Sequence, residues 1–302
     1  MGADWIDLLD PSAEQVRAEA PRELEESAVE LLLRPAQHED EPRPTLRGHG
    51  SYVFGVLLSA CTPDGTDRIV YQEIDLVLTR DALLTVRKTP EGAPPFDPSE
   101  LRTAVKESDT GGMIVYRLVD EIAERYLDLI DDLDEQIDGL EDMVETLPAA
   151  EVRERISAYR HQLLHVRRTL APMRDAVRRV VDDVVEVDDG PDVFPHDVEV
   201  AFNAVYDKLL RAVDGLELTR DLLAGVRDYS QAKIGQDQNE VMKRLTVVAS
   251  LLLVPTFIVG LYGQNFRDIP ELRWGWGYGW SWLLIVATTV FQLWYFRRKR
   301  WI

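Results

Sequence analysis

The fold class that the sequence predicts is an α+β membrane protein: an N-terminal cytoplasmic α/β domain, a long coiled-coil-like helical stalk and two C-terminal transmembrane helices. Three observations predict it. Runs of β-branched and aromatic residues separated by turn formers occupy the first third of the chain, heptad-spaced apolar residues fill the middle, and two uncharged apolar stretches close it.

The first domain is read as residues 1–110. Its strands are expected at 52–61 (YVFGVLLSAC), 69–79 (IVYQEIDLVLT) and 82–87 (ALLTVR), with the turn Thr62 to Gly65 between the first two. The stretch Lys88 to Ser99 holds four prolines and a glycine, and ends the strand pattern.

Residues 111–195 read as an acidic helical hairpin. Ile130, Leu133, Ile137, Leu140, Val144 and Leu147 step by three and four until Pro148, and Ile156, Tyr159, Leu163, Val166, Leu170, Met173, Val177, Val180 and Val184 continue until Gly190-Pro191. Between Arg125 and Arg153 lie ten acids and no base. That run reads either as a solvated helix face or as a cation-sensing surface, because hard divalent ions prefer carboxylate oxygen. Asp182, Asp183, Glu186, Asp188, Asp189 and Asp192 form a second acidic group with the same two readings. His161 and His165, spaced i, i+4, fall off the heptad seam and are expected to face solvent.

A third series, Phe202, Val205, Leu209, Ala212, Leu216, Thr219, Leu223 and Val226, begins after Pro195 and meets no proline before the first apolar stretch. A single stalk helix over 196–262 is therefore predicted, roughly 100 Å long at 1.5 Å per residue. Its end, 245–262 (LTVVASLLLVPTFIVGLY), carries no charge across 18 residues and is long enough to cross a hydrocarbon core. Residues 280–296 form a second span, with Trp280, Trp282, Trp294 and Tyr295 near its ends. Lys243 and Arg244 precede the first span, and a basic tail, 297–302, follows the second. The positive-inside bias then puts both termini in the cytoplasm and the loop 263–279 outside.

Along a near-3.5 period, one stripe of the first span reads Asn239, Met242, Thr246, Ala249, Leu253, Thr256, Gly260 and Gly263. A stripe of small and polar residues reads either as a helix-packing seam or as a pore lining. Lipid is expected against Leu245, Val247, Val248, Leu251, Leu252, Val254, Ile258, Val259 and Leu261. Two helices per chain cannot enclose a pore, so a channel requires a ring of identical copies.

Composition excludes other classes. Over 302 residues, 34 Lys+Arg against 54 Asp+Glu give a net charge of -20, the wrong balance for binding nucleic acid. The single cysteine, Cys61, permits neither an internal disulfide nor a cysteine-built metal site. The sequence has no phosphate-binding Gly-x-x-x-x-Gly-Lys-Ser/Thr loop and no recognisable catalytic triad, so no enzyme is expected and no cofactor.

The segments Asn239-Glu-Val-Met-Lys-Arg-Leu-Thr246, Pro255-Thr-Phe-Ile258, Gly260-Leu-Tyr-Gly-Gln-Asn-Phe266, Ile269-Pro-Glu-Leu-Arg-Trp274, Gly277-Tyr278 and Phe296-Arg-Arg-Lys-Arg-Trp301 resemble the CorA family of magnesium and cobalt transporters. The resemblance implies a homopentamer in the cell (inner) membrane that carries Mg2+, or Co2+, into the cytoplasm and is gated by intracellular Mg2+. It implies a selectivity filter at Gly263, Gln264 and Asn265, with Gly263 giving the turn beneath Asn265. It places Asn239, Met242, Leu253 and Thr256 along the conduit. Glu271 in the outer loop is expected to attract cations, and Asp207, Asp214 and Asp228 on the stalk are candidate metal sensors. The departure is Gln264, where the family signature has methionine. A Zn2+ transporter of the same architecture is therefore one alternative, and a non-conducting membrane-tethered coiled-coil scaffold is the other.

Overall fold

The computed structural model describes residues 3–22, 24–37, 41–63, 66, 68–185, 187, 192–265 and 269–302. His38, Glu186, Asp188, Asp189, Gly190, Pro191, Phe266, Arg267, Asp268 and part of the Thr62 to Gly65 turn lie outside them. The chain divides into two units, Met1–Arg227 and Asp228–Ile302.

In the first unit, the strands β1 (Asp4–Leu9), β2 (Thr45–His49), β3 (Tyr52–Cys61), β4 (Val70–Leu78) and β5 (Ala82–Arg87) form one sheet in the order β1-β5-β4-β3-β2. β1 runs parallel to β5, and the other pairs are antiparallel. The three apolar runs of the sequence are β3, β4 and β5. They read as continuous rather than alternating because both faces of the sheet are covered. On one face α1 (Ala13–Glu19) and α2 (Glu26–Leu33) bring Val16, Val29 and Leu32 against Phe54, Val56, Val77 and Val86. On the other, Ile74, Leu76 and Leu78 join the large core with Ile114, Leu118 and Ile122 of α4 (Gly111–Met143).

β1 and β2 were not expected. β1 is held at the sheet edge by its side chains: Asp7 takes a forked pair of bonds from Arg87, with Nη2 2.8 Å from Oδ2 and Nε 2.9 Å from Oδ1. Thr85 Oγ1 donates to the same carboxylate at 2.9 Å, and Trp5 Nε1 donates to Thr85 Oγ1 at 3.0 Å.

After the short α3 (Ser99–Ala104), three long helices follow: α4, α5 (Ala149–Val181) and α6 (His196–Tyr262). Thr110 caps α4 by accepting from the Met113 amide at 3.3 Å, and Pro148 stands at the N-cap of α5. Heptad residues of all three helices are buried together, Leu133, Ile137 and Leu140 from α4, Val166, Leu170 and Met173 from α5, Phe202, Leu209 and Leu216 from α6, whereas Val184 lies beyond the end of α5 and is exposed. Gly112 is required at the start of α4, since a Cβ there would sit 2.2 Å from the Val193 carbonyl oxygen.

The acidic run lies along the exposed side of α4 as far as Asp142, with Glu145 in the turn after it and Glu151 in the first turn of α5; all are exposed except the half-buried Glu151. His161 is exposed, with Nδ1 2.7 Å from the Ser157 carbonyl. His165 departs from expectation. Its Nε2 lies 3.0 Å from Glu41 Oε2 and its ring meets Tyr71 edge-on at 4.9 Å, so the imidazole is partly buried under the sheet domain. The heptad seam identifies contacts between helices and is blind to a strand packing on the helix flank.

In the second unit, α6 ends at Tyr262, a 3-10 turn spans Pro270–Arg273, and α7 spans Gly277–Arg298. Both helices are long and apolar enough to cross a membrane.

Candidate ion pathway

The residues of the site are set on α6 by helical geometry. Asn239, Met242, Leu253 and Thr256 fall on one side of the helix, and all four are exposed. Met242 is 58% and Leu253 70% accessible, values that a core residue never reaches. Thr256 keeps its hydroxyl on the helix, Oγ1 donating to the Leu252 carbonyl at 2.7 Å. This leaves the oxygen's two lone pairs and the methyl as its outward surface. Pro255 beside it has no amide hydrogen, so the Leu251 carbonyl receives no helical bond from that position.

The face of α6 turned to α7 is a different one. Val247 is 5% accessible, and Ser250, Leu251, Val254, Ile258 and Tyr262 are half-buried at the same repeat. Gln292 of α7 reaches this face, its Nε2 donating to the Ser250 carbonyl at 3.2 Å. Val247, Ser250 and Val254 each follow a member of the stripe (Thr246, Ala249, Leu253) by one residue, so the covered face is rotated about 100° from it. The stripe is therefore not the packing seam between the chain's own two spans. Part of the surface expected to meet lipid, Val247, Leu251, Val254 and Ile258, is instead the covered side.

At the end of α6, the Gly263 amide continues the helical bonding to Val259 O at 2.9 Å, and the Gln264 amide closes on Leu261 O at 3.4 Å. Gly263 makes this turn without entering the left-handed region. Gln264 and Asn265 are exposed immediately beyond it. Glu271 is half-buried within the 3-10 turn. Its carbonyl lies where a Cβ on Gly277 would come within 2.2 Å, so the glycine lets this turn fold onto the start of α7. Trp274, Trp276 and Trp280 cluster there, with ring centroids 5.9 to 6.4 Å apart. Such rings suit the headgroup zone. At the other end of α7, Arg298 sits over the Trp294 ring at 5.5 Å.

Asp207, Asp214 and Asp228 are exposed along α6 at multiples of seven residues. Asp221, also exposed, completes that repeat and had the same sequence signal. Where α5 gives way to α6, Asp183, Asp192 and Glu199 bring carboxylate oxygens within 4.8 Å of one another. Glu199 joins two members of the second acidic group there, and Asp192 Oδ1 accepts from the Phe194 amide at 3.0 Å.

The CorA-like Mg2+ transporter protein family matches residues 2–298. The chain is 29% identical over 264 residues to the cobalt/magnesium transport protein CorA of Thermotoga maritima, covering 86% of this chain and 73% of that one. It is 25% identical over 206 residues to the zinc transport protein ZntB of Photorhabdus laumondii, covering 68% of this chain and 60% of that protein. Its fold superposes on the complete CorA magnesium transporter from Methanocaldococcus jannaschii with a TM-score of 0.77 at 20% identity, covering 99% of this chain and 91% of the other.

Proposed function

The chain belongs to the CorA-like Mg2+ transporter family, a family of divalent cation transporters and not of enzymes, and from that premise we propose that it carries Mg2+, with Co2+ as a further cargo, into the cytoplasm down the membrane potential. Family membership removes the non-conducting scaffold. The observation that carries the reading is the uncovered stripe on α6, which a ring of identical copies would enclose.

In this reading the assembly is a homopentamer in the inner membrane, with spans at 245–262 and 280–296, the loop 263–279 outside and both termini in the cytoplasm. Residues 1–110 and the hairpin 111–195 are cytoplasmic, 196–262 joins stalk to pore, and 297–302 is the inner tail. Gly263, Gln264 and Asn265 form the filter. Mg2+ dehydrates reluctantly, so a ring of neutral amide oxygens at Asn265 holds the ion through its water shell and releases it readily. Glu271 adds to the local cation concentration at the outer mouth. Asn239 and Thr256 offer oxygens along the path, and Met242 and Leu253 form apolar constrictions that close by dewetting. A potential of 100 mV supplies about 4.6 kcal/mol to a divalent ion, so no nucleotide hydrolysis is required. Internal Mg2+ closes the pore by neutralising carboxylates on neighbouring stalks, with Asp207, Asp214 and Asp228 as sensors. Loss of the ion lets those carboxylates repel.

Zn2+ transport is the second reading, favoured by Gln264 in place of the family's methionine and by the similarity to a zinc transport protein. One experiment tests both: Mg2+ influx into proteoliposomes under an inside-negative potential, with Zn2+, Co2+ and a proton gradient as parallel arms. Potential-driven Mg2+ entry that falls at least about tenfold in Asn265→Ala, which removes one amide oxygen per subunit from the ring around the hydrated ion, supports the channel and its filter. Zn2+ flux without Mg2+ flux replaces the cargo, and absence of any flux overturns the transport mechanism.

A further inference from the structure

Within the first unit, three charged side chains are buried together away from the ion pathway. Glu73 and Asp75 are two apart on β4 and share the face of Val77, which packs under α2. Lys88 follows β5 and pairs with Glu73 across the strands, its amide donating to the Glu73 carbonyl at 3.1 Å. Three oxygens surround the ammonium: Lys88 Nζ donates to Glu73 Oε1 at 2.5 Å and to the Leu31 carbonyl in the last turn of α2 at 3.0 Å, and lies 2.7 Å from Asp75 Oδ2. Asp75, only 1% accessible, makes no hydrogen bond through either carboxylate oxygen, Oδ2 having only its ion-pair contact with Lys88. It lines a cavity of about 230 Å³ bounded by Leu31, Arg34, Gln37, Glu41 and Val56.

Two carboxylates against one ammonium leave a net negative charge in the protein interior, which costs several kcal/mol unless a positive charge joins it. The charged groups facing Asp75 are Glu73 on its own strand, Lys88 after β5, Arg34 after α2 and Glu41 before β2. Glu41 is engaged by His165 of α5. A divalent ion would have to sit beside the Lys88 ammonium already lodged between the carboxylates. A proton meets no such repulsion.

We propose that Glu73, Asp75 and Lys88 form a proton-binding site, in which one proton on Asp75 neutralises the cluster and holds the end of α2 on the sheet through Lys88 and Leu31. Burial, and next to it the charge of Glu73, push the Asp75 carboxyl up to about 7 against the pull of Lys88. The folded state thus keeps a proton that the unfolded chain releases near its ordinary carboxylate range. Stability from this group is complete at low pH, declines as pH rises and is gone above about 7. The site is independent of whether the chain conducts ions.

The test is hydrogen exchange of the α2 amides in the full-length protein between pH 5 and 9, corrected for intrinsic exchange, with infrared detection of protonated carboxyl groups alongside. The local opening constant is expected to rise by up to about tenfold per pH unit and to level off near pH 7, with a protonated carboxyl band lost around that pH. Asp75→Asn, which keeps the neutral shape, should flatten the profile and remove that band. An unchanged profile and band in Asp75→Asn would overturn the proposal. So would loss of the pH dependence in excess Mg2+, which would make the cluster a metal site. If Asp75→Asn does not fold, the native infrared titration still decides: no carboxyl titrating near pH 7 refutes the site.

Discussion

Gln292 of α7 donates to the Ser250 carbonyl of α6 at 3.2 Å. This bond lies on the one side of the first span that the chain covers by itself, and Leu253, three residues along, lies outside that side with most of its surface accessible. A lone chain thus protects one side of α6 and leaves Met242, Leu253 and Thr256 exposed.

Replacing Gln292 with leucine keeps the volume and removes the bond. The expected cost is about 0.6 to 1.7 kcal/mol, the range for hydrogen bonds between membrane helices. Unfolding of the detergent-solubilised protein checks it, and ion flux at low internal Mg2+ should change little.

Leu253→Ser should ease wetting of the apolar ring proposed at this position. Residual Mg2+ flux at high internal Mg2+ is expected to rise by about tenfold, equivalent to about 1.4 kcal/mol off the barrier. Flux unchanged in this variant would show that the constriction lies elsewhere.

Replacing Asp207, Asp214 and Asp228 together by asparagine removes the stalk charge that internal Mg2+ is proposed to neutralise. Inhibition should then require about tenfold more internal Mg2+, a coupling within the usual allosteric range. Influx measured against graded internal Mg2+ reads this directly, and an unshifted inhibition curve assigns sensing to other carboxylates.

Asp7→Ala should be the most damaging surface-edge change in the sheet. The Asp7 side chain is 3% accessible and accepts from both Arg87 and Thr85. Removing one partner of a buried pair costs about 3 to 5 kcal/mol. Asp7→Asn, still able to accept from Thr85, should lose less in the same unfolding measurement.

The sequence made the long helices plain because their heptads are dense and Pro148 and Pro195 mark where they change. β3 to β5 were plain because buried runs of Val, Leu and Ile leave few other readings. β2, with Arg47, Gly48 and His49, has no apolar alternation to detect, and β1 depends on a salt bridge to a residue eighty positions away. The uncovered stripe and the α7-facing side of α6 were inseparable by composition, since Leu253 and Val254 are both apolar and only the position of α7 distinguishes them. Asp75 carried no signal either, because an acid in a strand ordinarily points to water.

Pro255 gives the span a mechanical character that its length conceals. A helix missing one backbone bond bends most easily at that point, and here the point lies between Leu253 and Thr256. The two segments of the span are thereby hinged.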